Sequence, residues 1–428
     1  MKKFMLIGSL AAVLFGGAAL AQTVPVPLVQ GINPADVFQD VAGGQPTSTN
    51  YYAPAPMLGN YGSTLQGNNG ENALIGGDFG TNLFQRTTSV GSITTTYLYT
   101  ADRWFAWSGT ATTLTVTQQT GATDIPAGFN ASLRVNKGSG AGVVQACIAQ
   151  EIETTNFLRF QGQTAELDFS AKAGASFSAA SSNLQVSIVY GTGTDEGAQK
   201  LAWGFNAGGG GSTAWTGQAN AAANLLVPIN TAWNRYSVVA PIPATATEGA
   251  VVICYTPVGT GVAADWFEFT GAQLVPNSAL TTVAGASGAV LAANDVRAKS
   301  FARRPNAVET ALQERYFYRL TETAAITPVA PCSAVDTTHT NCLVQFPVPM
   351  RAAPTLSFAT GFASPTSTTQ ATLGACTTLA AAVTVTSTVA NVLNALVNCT
   401  ATTIPAAGIA SFLYSNNGTG LISASAEL

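Results

Sequence analysis

The sequence predicts an all-β protein, a jelly-roll β-sandwich joined by a short helix to a smaller C-terminal β-sandwich domain. Three observations predict it. Runs such as SLRVN, NLQVSIVYG, NRYSVVAPI and DWFEFTGAQL alternate apolar with polar or small residues, the period of strands that bury one face. Glycine, asparagine and serine punctuate these runs at short intervals, as turns require. Helix-period patterning of useful length occurs once, after Pro305. The chain of 428 residues is long enough for more than one core. Charged residues make up only 9%, and a net charge of −4 leaves no basic excess to neutralise nucleic-acid phosphates. A single histidine, His339, excludes most His-based triad and metal-hydrolase chemistry.

Taken in order, residues 1–21 read as a Sec-type signal-like leader. Lys2 and Lys3 precede an apolar run, and Ala19-Leu20-Ala21 supplies a cleavage pattern after Ala21; a retained hydrophobic peg is the alternative. Residues 22–70 form a Pro/Gly-rich extended arm or linker, with Pro25, Pro27, Pro54 and Pro56 holding it extended. Residues 71–278 are the jelly roll and contain every tryptophan of the chain. Residues 279–322 are a connecting segment with a helix at 306–319, where Asn306 and Glu309 fit a capping box. Its basic residues, Arg297, Lys299, Arg303 and Arg304 among them, interleave with Asp295, Glu309 and Glu314 as a solvated face. Residues 323–428 return to strands as a C-terminal β domain, and after Arg351 only Glu427 is charged. That uncharged domain and the apolar stripe Val308, Leu312 and Tyr316 point to a homo-oligomer. No stretch after the leader is apolar enough to span a membrane as a helix.

The six cysteines, with no C-x-x-C, suit an oxidising compartment. Cys332 and Cys342 flank a turn, Cys376 and Cys399 share the C-terminal β region, and Cys147 and Cys254 each occupy an apolar strand-like run. Bridges in these three pairs are one of fifteen connectivities, and buried free thiols are the alternative for Cys147 and Cys254. Catalysis lacks a constellation. His339 lies in a turn between two cysteines, and Asp195/Glu196 and Glu151/Glu153 are too close in sequence to be read as a pair across a cleft. For a sugar, Asp102-Arg103-Trp104 and Trp233-Asn234-Arg235-Tyr236 are possible platforms, but Trp104 and Trp233 fall in strand patterns that suit core packing. Trp107, Trp203 and Trp215 neighbour Gly/Ser/Thr-rich loops and are the candidate glycan-stacking residues.

ENALIGGDFGTNLFQRTTS with YTADRWFAW, then NTAWNRYSVVAPIP, DWFEFTGAQLVPNS, FARRPNAVETALQERYFYR, VQFPVPMRAAPTLSFA and LISASAEL together resemble a domain common in bacteriophage and prophage tail fibres and other virion proteins. The resemblance covers about residues 71–428 and keeps the family's order. Gly76 stands where the family usually has Asn, Thr87 where it has Gly, and Gln313-Glu314-Arg315-Tyr316-Phe317 lacks the usual Cys. The resemblance implies a non-enzymatic virion protein of the tail-fibre or decoration class, a homotrimer like other such fibres, with the arm contacting other virion proteins and a role in host-surface or glycan binding. Its carbohydrate-binding-module-like jelly roll would bring the first and last strands together, so that Asp78 and Asp265 are candidates for a structural calcium ion. A secreted bacterial carbohydrate-binding protein or adhesin with the same domain is the alternative, which the leader favours, and a polysaccharide-degrading spike is the third reading. The location expected is virion or extracellular.

Overall fold

The computed structural model describes residues 72–80, 85–109, 114–137, 143–205, 214–258, 264–321, 327–359, 361–365, 373–381, 393–401, 407–408, 410–415 and 421–428. These fall within one compact unit, Asn68–Leu428. The leader and the arm lie outside the described residues.

Two antiparallel sheets form the jelly roll. One runs in the order β1 (Ser89–Ile93), β4 (Leu114–Gln119), β5 (Ser132–Lys137), β12 (Trp266–Pro276), β7 (Thr164–Ala173), β10 (Asn234–Pro241) and β13 (Ala289–Val290). The other runs β2 (Leu98–Tyr99), β3 (Phe105–Ser108), β6 (Ala146–Ile152), β11 (Glu248–Tyr255), β8 (Asn183–Gly191) and β9 (Ala219–Pro228). Their facing side chains make the main core, in which Leu133, Val135, Leu167, Phe169, Phe267 and Phe269 meet Trp104, Ile148, Val251, Ile253 and Tyr255. The alternation read from the sequence is this inward half of each strand.

The six-stranded sheet also buries its outer face. Phe105, Trp107, Cys147, Ala149, Ala250, Val252 and Cys254 project there and are covered by Leu201 and Ala202 of helix α1 (Ala198–Gly204) and by Trp215. This second core explains why β6 and β11 are buried at every position rather than at alternate ones. Within it Cys147 and Cys254 stand directly opposite in register and are bridged.

The connecting segment packs on the outer face of the seven-stranded sheet, where Leu280, Ala284, Leu291 and Ala298 form a small core with Val239. Helix α2 spans Asn306–Glu314, shorter than the 306–319 expected. It stops because Phe317–Thr321 (β14) pairs with β22 (Leu421–Ser425), a ladder that satisfies the same backbone groups. The expected capping box is absent: Pro305 is the N-cap with no side-chain cap, and Glu309 instead accepts from Gly76 N and Arg304. The segment is solvated only in part: Arg297, Arg303 and the first turn of the helix are exposed, whereas Arg304, Glu309 and Gln313 are buried. Val308 is exposed, and Tyr316 is buried beyond the helix end, so the two do not share a helical stripe.

The C-terminal β domain has two layers. β14, β22 and β17 (Thr355–Ala359) form a three-stranded sheet. β15 (Pro328–Ala334), β16 (His339–Gln345), β20 (Asn394–Ala401), β19 (Leu373–Ala381), β18 (Phe362–Pro365) and β21 (Ala410–Ser415) close on themselves as a barrel. Ile422, Leu356 and Phe358 of the small sheet pack with Ala330, Val344, Val397 and Leu413 of the barrel. The Cys332–Cys342 and Cys376–Cys399 bridges lie in the same core. All six cysteines are therefore paired as the sequence suggested, which places the protein in an oxidising or extracellular location. Among the described residues no helix is long and apolar enough to cross a membrane.

A close backbone approach joins the start of the jelly roll to its last strand. Ala272 N donates to Gly77 O, and a Cβ on Gly77 would lie 2.0 Å from Ala272 O. Gly77→Ala is expected to cost about 1–3 kcal/mol by overpacking, measured as a lower urea midpoint with an unchanged m-value.

Candidate functional site

The structure removes two of the three candidate glycan-stacking tryptophans. Trp107 and Trp215 are 1% and 3% exposed, in the second core over the Cys147–Cys254 bridge. Trp107 stacks on Phe105, and Trp215 Nε1 donates to Gly197 O. Helix α1 and Trp215 close over the sheet face that the sequence left open. Trp203 lies in α1, and its side chain lies outside the described residues. The Asp102-Arg103-Trp104 platform is buried as well.

Trp233, read from the sequence as core, is instead half-buried, and so is Trp266. Both rings lie on the outer face of the seven-stranded sheet, and strand register explains how they meet. Glu268 of β12 stands opposite Arg134 of β5 on one side and Lys172 of β7 on the other. This cross-strand row of cation, anion and cation is the floor of the site. Lys172 Nζ lies 3.0 Å from Glu268 Oε2, and Arg134 Nε donates to Glu268 Oε1 at 2.6 Å. Asp124, from the β4–β5 turn, lies 3.2 Å from Arg134 and 3.4 Å from Lys172. The Lys172 ammonium is 5.3 Å from the Trp233 ring centroid and 5.4 Å from that of Trp266, while the Arg134 guanidinium lies over Trp266 at 4.2 Å. Gly174 makes room for the Trp266 ring, since a Cβ there would lie 2.9 Å from it.

Two cations and two carboxylates thus balance beneath two partly exposed rings. Burial pushes the Glu268 carboxyl above its usual range even though Lys172 and Arg134 pull it down. Trp233 Nε1 is buried without a hydrogen-bond partner, so only the ring face is open to a ligand. The arrangement offers an aromatic face and fixed charges, elements that a sugar ring uses for stacking and for its hydroxyls. Arg134, Lys172 and Glu268 were legible in principle: each is a charge at an outward position of a strand in a chain that is 9% charged.

Asp78 and Asp265 are not brought together. Asp78 pairs with Arg303 Nη1 at 2.6 Å, while Asp265 accepts from Ser178 N at 3.0 Å and Ser178 Oγ at 2.6 Å. Among the described residues no group of three or more His, Cys, Asp or Glu is arranged to hold a metal ion. The sequence-adjacent carboxylates are also tied down. Glu151 lies against Arg103, Glu153 faces Arg315 and Arg351, and Asp195 accepts from Thr154 N. Glu196 pairs with Lys200 and donates its backbone N–H to Glu248 Oε2. His339 is partly exposed and faces Asp336 at 2.8 Å.

No family model matches the chain, and no curated protein matches it. Similar solved structures include the enzymatically active domain of tailspike protein 4 of bacteriophage CBA120, 15% identical over 48% of this chain and 21% of that one, with a TM-score of 0.25. The CBM22-1 xylan-binding domain of Paenibacillus barcinonensis Xyn10C is 10% identical over 40% of this chain and 85% of that one, also at 0.25. A cyclase from Fischerella sp. TAU is 10% identical over 46% of this chain and 95% of that one, at 0.27. The chain spans about a fifth of the tailspike structure's length, and TM-scores this low carry no functional meaning for it.

Proposed function

We propose that the chain is a non-enzymatic attachment protein of the tail-fibre or decoration class, whose jelly roll binds a neutral glycan on its outer face at Trp233 and Trp266. One observation carries the reading: two half-buried tryptophan rings over a charge-balanced floor. Arg134 and Lys172 already have carboxylate partners, so an anionic sugar gains no unpaired cation there. The close carboxyl pairs Glu166–Asp168 and Glu196–Glu248 sit side by side, which supports binding over hydrolysis across a cleft. Stacking on one ring contributes about 1–2 kcal/mol, so a single site binds weakly and an oligomer, here a homotrimer, gains through avidity.

A glycan array with the full chain tests the reading. Binding to neutral glycans is expected, with Trp233→Ala and Trp266→Ala each weakening it about tenfold. Trp107→Ala is expected to lower stability through its core position instead. Absence of glycan binding, or binding unchanged in both outer-face variants, would refute the assignment.

A further inference from the structure

We propose that residues 292–302 form a pH-dependent strap that fastens the Trp233 side of the outer-face site, with the paired carboxyls of Glu166 and Asp168 as its catch. The inference concerns regulation of the site described above and rests on that reading only for its consequence to a ligand.

Glu166 and Asp168 lie two residues apart on one face of β7 and are both buried. The strap is hydrogen-bonded to them and to Gln273 beside them. Glu166 Oε1 accepts from Lys299 N at 3.2 Å, and Glu166 Oε2 accepts from Asn277 Nδ2 at 2.6 Å. Gln273 Nε2 donates to Asp168 Oδ2 at 3.1 Å and to Lys299 O at 3.0 Å, while its Oε1 accepts from Ala302 N at 2.9 Å. At the other end, Asn294 Oδ1 accepts from Arg235 N at 2.9 Å and Asn294 Nδ2 donates to Asn234 Oδ1 at 3.0 Å. Those two residues directly follow Trp233, so the strap and the ring are mechanically linked.

The groups facing the carboxyls come from every neighbouring element. β10 contributes Arg235, 3.2 Å from Asp168, and Ser237, which donates to Asp168. β12 contributes Gln273, the residue after its end is Asn277, and the connecting segment contributes Lys299. Lys172 and Glu268 continue the same outer face. Val239 and Val275 stand opposite Glu166 in register and keep its surroundings apolar. Two ionised carboxyls this close and this buried repel each other, so Glu166 retains a proton that it shares with Asp168 by a hydrogen bond. Burial first, and then the Asp168 charge, push Glu166 up to about 7, against the Asn277 and Lys299 N–H groups that pull it down.

The sign follows from linkage. Because the burial that the closed strap completes outweighs the Lys299 N–H that it donates, the closed form raises this acid, and its preference for the closed strap is complete below the ordinary carboxylate range. That preference is lost as pH rises through about 7. Leu280, Ala284 and Leu291 pack on Val239 and keep the segment attached when the strap lets go.

Hydrogen exchange on the full chain, without ligand, reads the strap directly. Protection of the Lys299 and Ala302 amides, corrected for intrinsic exchange, is expected to fall about tenfold or more between about pH 5.5 and about pH 8.5. Glu166→Gln, which mimics the protonated acid, is expected to be equally protected at both. Equal protection of the wild type at the two pH values, or an unchanged pH response in Glu166→Gln, overturns the proposal. Should that variant not fold, Asp168→Asn removes the like charge and is expected to shrink the response; an undiminished response overturns the proposal equally. Failure of both Trp233→Ala and Trp266→Ala to alter glycan binding would sink the glycan reading and leave the exchange result standing.

Discussion

Replacing Cys147 and Cys254 together by alanine is expected to lower the unfolding free energy by about 4–5 kcal/mol. The bridge joins positions 107 residues apart, so it removes far more freedom from the unfolded chain than Cys332–Cys342, separated by 10, or Cys376–Cys399, separated by 23. For the shortest bridge the same reasoning gives about 2–3 kcal/mol. The long bridge also fills the second core beneath Trp107 and Trp215, so alanine leaves a void that the stiff sheet cannot close. Urea denaturation followed by tryptophan fluorescence measures the loss, and the m-value is expected to rise as the unfolded chain expands. A loss below about 1 kcal/mol would show that the folded state does not depend on the cross-link.

That second core also marks the limit of what the sequence discloses. The strands of the jelly roll, the connecting helix and the C-terminal β domain are legible because alternation, turn residues and Pro305 act over a few neighbouring residues. Which outward residues are then covered is a tertiary matter. Val252 and Cys254 have the same local pattern whether solvent or α1 lies over them; the near-continuous apolar run GAVVICY was the available signal that β11 is buried on both sides. Trp107, Trp215 and Trp233 depart from the sequence reading for the same reason, while Trp104 is buried as expected. Trp107 and Trp215 neighbour glycine-rich loops yet are covered, whereas Trp233 and Trp266 sit in regular strand patterns on a face left partly open. Helix α2 was overextended because Tyr316 keeps the helical spacing, while β22, its competitor for the following backbone, lies about a hundred residues away in sequence.

Several of the stretches that carry the virion-protein resemblance meet at a place apart from the glycan candidate, whose Trp233 and Trp266 lie in two others of them. Gln85-Arg86, Asp102-Arg103-Trp104, Arg315 to Arg319, Arg351 and Glu427 converge where the C-terminal domain joins the six-stranded sheet. Gln85 Nε2 donates to Phe317 O, and Arg319 donates to Gln85 O, both at 2.8 Å. Arg86 lies over the Phe317 ring at 3.7 Å and pairs with Glu427 at 2.8 Å. Arg351 donates to Ala426 O at 3.0 Å.

Arg103 is the centre of this junction, and Arg103→Met is expected to cost about 3–5 kcal/mol, the cost of leaving buried partners uncompensated. Its guanidinium pairs with Glu427, donates to Glu151 O at 2.9 Å and lies 3.8 Å over the Tyr316 ring, with 1% of the side chain exposed. These contacts also hold its backbone at a φ of +70°, a left-handed conformation that non-glycine residues rarely adopt. Removing the cation leaves the Glu427 carboxylate beside Glu151 with only the more exposed Arg86 as a partner. Arg103→Met combined with Glu427→Gln is therefore expected to cost less than the single change, because the stranded charge is gone. The junction also carries a pH signature. Burial first, opposed by Arg103 and reinforced by Glu427, pushes Glu151 up to about 8. A raised acid contributes stability that is complete below the ordinary carboxylate range and is lost as pH rises through about 8. Wild-type stability is thus expected to decline from about pH 5 to about pH 8 through this group, and Glu151→Gln should abolish that part of the slope. Urea midpoints for the three variants and the wild type, taken across this range, decide the matter: an Arg103→Met loss under about 1 kcal/mol, or a slope untouched by Glu151→Gln, would mean that the cluster does not hold the two domains together.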